Sequence, residues 1–275
     1  MQQQCRIILL HLSAAVLASP PHSAFAQEPQ SAPDILRITR EQVLPGKEAV
    51  HARITAERSR YLASVQWPRV SIALRPVTGA GDVLTLTGYQ SLAEWGRDRD
   101  DIAKTPSLNA KLEHFVSQLG ELVSQRREIS ADFQDEISYR SKYDWSKMRY
   151  VDVITILLKA GHGDEYLENR KIVVEAHTKA AVDEHMLIYQ VSSGRPGTTF
   201  LIFRPVEAFE GLNLEKAHGD RYLKILGKQN RDRLHVLFAA SDDTQEEEFY
   251  AVDPAMSYVT PAWVGADKSF WFVGR

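Results

Sequence analysis

The stretch YVDVITILLKAGHG, residues 150–163, decides how the rest of the chain is read. Tyr150 to Lys159 is a β-rich run, and Ala160-Gly161-His162-Gly163 is a turn signal behind it. Glu165 to Val182 then reads as a helix. Met186 to Ser192 and Thr199 to Arg204 read as a hairpin around Gly194-Arg195-Pro196-Gly197, and Glu207 opens a further helical region through Tyr222, Leu223 and Leu226.

The same order stands earlier in the chain. Ile35 onward is a strand leading through Val43 and Leu44 to Pro45-Gly46, and Lys47 to Ser64 spaces Val50, Ile54, Tyr61 and Leu62 as an amphipathic helix. Val70 to Val77 and Val83 to Tyr89 form a hairpin across Thr78-Gly79-Ala80-Gly81-Asp82. Ser91 caps a helix with Leu92 and Trp95, and another helix covers Ser107 to Arg126. Pro45-Gly46-Lys47 against Ala160-Gly161-His162, and Leu92-Ala93-Glu94-Trp95 against Val206-Glu207-Ala208-Phe209, share an offset of ~115 residues, which favours internal duplication. Closing strands are expected at Arg126 to Phe133 and Leu234 to Ala239.

A unit of strand, helix, two strands, helix and closing strand is ferredoxin-like, and its bare sheet face has to be buried. Two units packed sheet to sheet in one chain bury both faces. The expected fold is therefore α+β, two tandem ferredoxin-like repeats in an intramolecular dimeric α/β-barrel arrangement. Residues 27–146 are the first repeat with its linker, and 147–275 the second with an aromatic tail.

The 275 residues are 44% hydrophobic and 25% charged, values of a folded chain, not a disordered one. Residues 1–26 read as a signal peptide. An apolar run from Ile7 to Ser19 follows Arg6 and leads to Ala24-Phe25-Ala26 before Gln27, and it is too short and too interrupted for a stable membrane anchor. Cleavage removes Cys5, the one cysteine, and leaves 32 basic against 36 acidic residues, a net charge of -4. The mature chain is then periplasmic or secreted, without disulfide or thiol chemistry, and nucleic acid is not an expected partner.

With these elements in order, the P-G-K turn (Pro45-Gly46-Lys47) and the S-L-A-E-W start (Ser91 to Trp95) resemble the dimeric α/β-barrel superfamily, including its antibiotic-biosynthesis-monooxygenase-like and NIPSNAP-like domains. The resemblance spans most of the mature chain. It implies a cavity between sheet and helices, used by different members for cofactor-free oxygenation, for haem or for small hydrophobic ligands.

Among the histidines, none shares an H-x-x-x-H spacing, so no zinc site is expected. His177, in the first helix of the second repeat near Glu175, is the candidate catalytic base or haem ligand, with helix packing as the plainer reading. His114 and His218 fall where related haem-binding barrels place a ligand. Arg75 and Arg204, each followed by Pro and Val, are candidate carboxylate holders, and Tyr89 and Tyr189 candidate phenol contacts to a ligand. Rim charges and core aromatics are the plainer readings of those four. The run Asp242 to Glu248 reads as a solvated loop. Tyr258 to Arg275 is aromatic enough to require burial, expected as an extra strand on this barrel or a neighbouring subunit. Tyr139 to Tyr150 reads as an ordered bridge.

The first functional expectation is an exported protein that binds a small apolar or amphipathic molecule, with no cofactor and with a homo-oligomer compatible. The alternatives are a cofactor-free or haem-dependent monooxygenase-like enzyme, and an assembly module.

Overall fold

The computed structural model describes residues 31–272, apart from the side chains of 214–218. The expected leader at 1–26 and the His218 side chain lie outside the described residues. The first half of the chain runs β1 (Ile35–Val43), α1 (Glu48–Ser64), β2 (Ile72–Pro76), β3 (Asp82–Tyr89), α2 (Leu92–Ala103), α3 (Pro106–Gly120) and β4 (Val123–Phe133). The second runs β5 (Tyr150–Leu158), α4 (Gly163–Ala180), β6 (Leu187–Ser193), β7 (Thr199–Val206), α5 (Leu214–Ser241) and β8 (Asp242–Val252), followed by α6 (Pro261–Ala266) and α7 (Lys268–Trp271).

The strands close in the order β1-β3-β2-β8-β5-β7-β6-β4, and β4 returns to β1. Each pair of neighbours is antiparallel. The fold is thus a mixed α/β one around a closed eight-stranded barrel. Two seams join the halves: Leu74, Arg75 and Pro76 of β2 pair with β8, and Ser130 to Phe133 of β4 pair with β6.

Strand alternation divides the side chains between two environments. Leu36 and Ile38 of β1, Leu84 and Leu86 of β3, and Val151 and Val153 of β5 join one apolar cluster inside the barrel. Each such side chain taken from water contributes about 1.5–3 kcal/mol. The outward residues face the helices, and here the halves differ. In the second half Ile156, Leu158, Ile188, Phe200 and Ile202 pack with Tyr166 and Val173 of α4. In the first half the clusters are smaller, one of Ile54, Phe115 and Leu119 and another of Ala73, Val83 and Met256 against Ala52. The neighbouring outer face carries Glu41, whose Oε2 lies 3.0 Å from Nε2 of the buried His51 on α1, and Glu128, which takes hydrogen bonds from Arg37, Arg126 and Thr39.

Three elements depart from the sequence expectations. Leu234 to Ala239 is the end of α5 and not a strand, and the second closing strand is β8, which contains the acidic run expected as a loop. Inside the barrel Glu248 finds Arg40, whose Nη2 donates to it at 3.0 Å, and the Tyr250 hydroxyl, also at 3.0 Å. The aromatic tail folds as two short helices and not as an extra strand, because Pro261 starts α6 and the Asp267 carboxylate caps α7 through the amides of Ser269 and Phe270. Trp263 and Trp271 are delivered by these helices into the barrel cluster. Within α5, Gly227 adopts φ +69° and breaks the helix into two pieces, much as Thr105-Pro106 separates α2 from α3. The bridge between halves is ordered, with Tyr143 and Met148 buried in the same cluster. Among the described residues no helix is long and apolar enough to cross a membrane.

Candidate active site

The barrel is hollow at the end where β1 begins. A cavity of about 280 Å³ lies there, walled by Leu36, Ile72, Val151 and Phe203 of the strands and by Trp145 and Trp263 of the bridge and tail. Its polar lining is concentrated on one side, where Arg69, Tyr89 and Glu94 meet, with Tyr189 also in the wall.

Local sequence fixes that polar side. Tyr89 ends β3, and Ser91 then caps α2 by accepting a hydrogen bond from the Glu94 amide at 3.2 Å. Glu94 and Asp98, one helical turn apart, share a helix face. Tyr89 donates its phenol proton to Asp98 Oδ2 at 2.9 Å, and its ring stacks on Trp95 with centroids 5.7 Å apart. Arg69 bonds Glu94 at 2.6 Å and lies 3.6 Å from Asp98 Oδ1. Burial pushes the Asp98 carboxyl above its ordinary range, while the Tyr89 hydrogen bond and Arg69 hold it down. Burial, and then the Asp98 charge, push the Tyr89 phenol far up. The result is a carboxylate of raised basicity bonded to a phenol that Arg37 also reaches, with the Tyr89 side chain in the wall of an apolar cavity. Tyr189 is anchored differently: its hydroxyl donates to the Pro33 carbonyl at 3.2 Å, and Phe133 and Phe203 pack against its ring.

His177 and Arg204 come together elsewhere, in a cleft of about 530 Å³ between the outer faces of β5 and β7 and the helices α4 and α5. Glu184 links them, 3.4 Å from His177 Nε2 and 4.0 Å from Arg204 Nη1. Arg204 also bonds Glu247 at 2.7 Å and the fully buried Asp152, through Nε at 2.7 Å. Asp152 Oδ1 has no hydrogen-bond partner among the described residues. Burial, opposed by Arg204 and aided by Glu247, pushes Asp152 up to about 7.

This shift has a measurable consequence. A raised acid binds its proton in the folded state while the unfolded chain, titrating at the ordinary ~3.9, has released it. The stability so contributed is present below about pH 4 and is lost as pH rises through about 7. The urea midpoint should therefore drop between pH 5 and pH 8, and Asp152→Asn should flatten that drop. An equal drop in wild type and variant would remove Asp152 as its source.

The imidazole of His177 is occupied at both nitrogens: Nδ1 donates to the Val173 carbonyl at 2.8 Å, and Nε2 faces Glu184. Tyr139 and Tyr222 cover its ring. His114 is exposed on α3. The described histidines at the expected positions thus do not fit haem ligation. Among the described residues no cluster of His, Cys, Asp and Glu is placed to hold a metal ion. Arg75 lines neither cavity; its side chain is 60% exposed and bonds Asp253 at 2.9 Å.

Sequence reasoning thus reached Tyr89 and Tyr189 at one site and His177 and Arg204 at another, but missed Arg69, Glu94 and Asp98. The readable signal was the capped helix beginning at Ser91, whose turns carry Glu94 and Asp98 directly after Tyr89.

No family model and no curated protein matches the chain. Among solved structures, a protein proposed to be a monooxygenase from Fusobacterium nucleatum subsp. nucleatum is similar at 14% identity and a TM-score of 0.54, over 81% of this chain and 94% of that one. An anthrone oxidase-like protein is similar at 10% identity and a TM-score of 0.53, over 80% of this chain and 91% of that one. A chlorite dismutase from Candidatus Nitrospira defluvii, solved with cyanide, shares 14% identity at a TM-score of 0.44, over 82% and 92%. At these identities the first two show a common fold and no more. Their names correct the first functional expectation. Proteins of this architecture with enzyme names stand closer to the monooxygenase-like alternative than to a binder without turnover.

Proposed function

We propose that the protein is a cofactor-free, monooxygenase-like enzyme that acts on a small, flat, apolar molecule bearing an acidic C–H or O–H group. The observation that carries this reading is Tyr89, on the wall of an aromatic-lined cavity, with its phenol bonded to Asp98 behind that wall. The substrate proton passes to the Tyr89 oxygen as Tyr89 gives its own to Asp98. The resulting carbanion or enolate supplies the electrons that reduce dioxygen, so a CH2 group and O2 become C=O and H2O. Arg69 stabilises the negative charge that develops beside Tyr89. Trp145 and Trp263 exclude water and hold the ring system flat.

The reading follows the antibiotic-biosynthesis-monooxygenase-like branch of the resemblance. It takes residues 27–146 and 147–275 as two ferredoxin-like units that close one barrel within a chain, in a protein exported to the periplasm or beyond after loss of residues 1–26. A homo-oligomer is compatible with it.

Anthrone is a suitable probe, being flat, apolar and acidic at a CH2 group. Purified protein should quench its tryptophan fluorescence on adding anthrone and take up one O2 per anthrone, without added flavin and unaffected by EDTA. Absence of both quenching and uptake above the uncatalysed background defeats the proposal.

A further inference from the structure

The opposite end of the barrel, where β1 finishes, is polar. A cavity of about 180 Å³ is lined there by Arg40, Arg127, Arg195, Asp82 and Glu246, with the amides of Gln42 and Gln125 beside them. The three arginines are not equivalent. Arg40 is neutralised, bonding Asp82 through Nε and Glu248 through Nη2. Arg127 and Arg195 are half-buried, and among the described residues neither has a carboxylate within ion-pair distance or a hydrogen-bond acceptor. The remaining acid of the lining, Glu246, acts on Arg195 only at long range, so two guanidinium groups border the cavity with no carboxylate in contact.

Two further facts indicate that the fold holds this charge in place. Arg195 sits in the β6–β7 turn immediately after Gly194, which adopts φ +91°, and a β-carbon built at Gly194 runs into the backbone carbonyl of Glu128 on β4. The turn therefore presses Arg195 against the strand that carries Arg127, and no other residue at 194 permits that approach. In addition, burial and then Arg40 lower the Arg195 guanidinium below its usual range, with Arg127 adding to this and Glu246 and Glu248 opposing it. Two half-buried guanidinium groups beside a polar void, with no acceptor in contact, keep their fork of donors open to an anion.

We propose that this mouth of the barrel is a binding site for a small oxyanion, a carboxylate or phosphate group, held between Arg127 and Arg195. The site is separated from the aromatic-lined cavity by the packed interior of the barrel. It is independent of the reaction proposed above and stands or falls without it.

Isothermal titration calorimetry on the full chain at low salt and pH 7, with inorganic phosphate in one arm and acetate in the other, tests it. One saturable site is expected in at least one arm. Saturation by phosphate alone marks a phosphate site, and saturation by acetate a carboxylate site. Arg127→Gln and Arg195→Gln should each weaken binding by about tenfold or more, with Arg195→Lys between them and wild type, while the distant surface substitution Arg233→Gln leaves it unchanged. No saturable heat in either arm, or undiminished binding by the double variant, overturns the proposal. Should a variant fail to fold, the guanidinium NMR signals of wild type decide: saturable shifts at Arg127 and Arg195 support the site, and unmoved signals overturn it.

Discussion

Trp271→Ala should lower stability by about 3–5 kcal/mol, the cost of emptying a large aromatic from a packed core. Trp271 is completely buried, donates its indole N–H to the Ser146 carbonyl at 2.7 Å, and meets the rings of Trp263 and Phe270 edge-on at 5.6 and 4.9 Å. Truncation leaves both a cavity and an unpaired carbonyl. For a chain of this size the melting temperature should fall by on the order of 10 °C, and Trp271→Phe should recover part of the loss. A change below about 2 °C in thermal denaturation would mean that the tail is an appendage and not the closure of the barrel. The same substitution should weaken anthrone quenching, because Trp263, which lines the cavity, is buttressed by Trp271.

Tyr89→Phe is expected to slow anthrone-dependent oxygen uptake by about 10²–10⁴, the usual span for losing a positioned proton acceptor. The ring remains to stack on Trp95, so binding measured by fluorescence should change little. Asp98→Asn should fall in the same range, since the phenol then has no carboxylate to receive its proton. The acidic limb of the wild-type rate profile should lie above the ordinary carboxylate range, following the upward shift of Asp98, and should vanish in the asparagine variant. Equal turnover by wild type and both variants would place the chemistry elsewhere, with the His177–Glu184 cleft as the next site to mutate.

The order of strands and helices was legible because each element carries its own periodicity. Leu36 and Ile38 alternate with Arg37 and Thr39, and Ser91 announces the helix that follows. Where the reading failed, the deciding interaction lay far away in sequence. Glu248 looks like part of a solvated loop until Arg40, 208 residues earlier, is seen to meet it inside the barrel. Leu234 to Ala239 is a short apolar run that periodicity alone cannot assign to strand or helix. The site was partly legible for the same reason. Tyr89 and Tyr189 stood out as single aromatic residues, but only the packing of α2 and the tail brings Arg69, Trp145 and Trp263 to the same cavity.

The closed barrel has eight ladders of unequal length. β1 runs alongside β3 from Ile35 to Gln42, whereas β2 meets β3 and β8 through three residue pairs each, and Pro76 in the β8 pairing has no amide proton to offer. A ring opens at its weakest joint. Amide exchange should be fastest along β2, ahead of the long β5–β8 and β1–β3 ladders, with the β4–β6 seam still joining the two halves. Sequence changes at residues 74–76 or 250–252 would then govern how long the molecule survives between openings more than how tightly it is folded at rest.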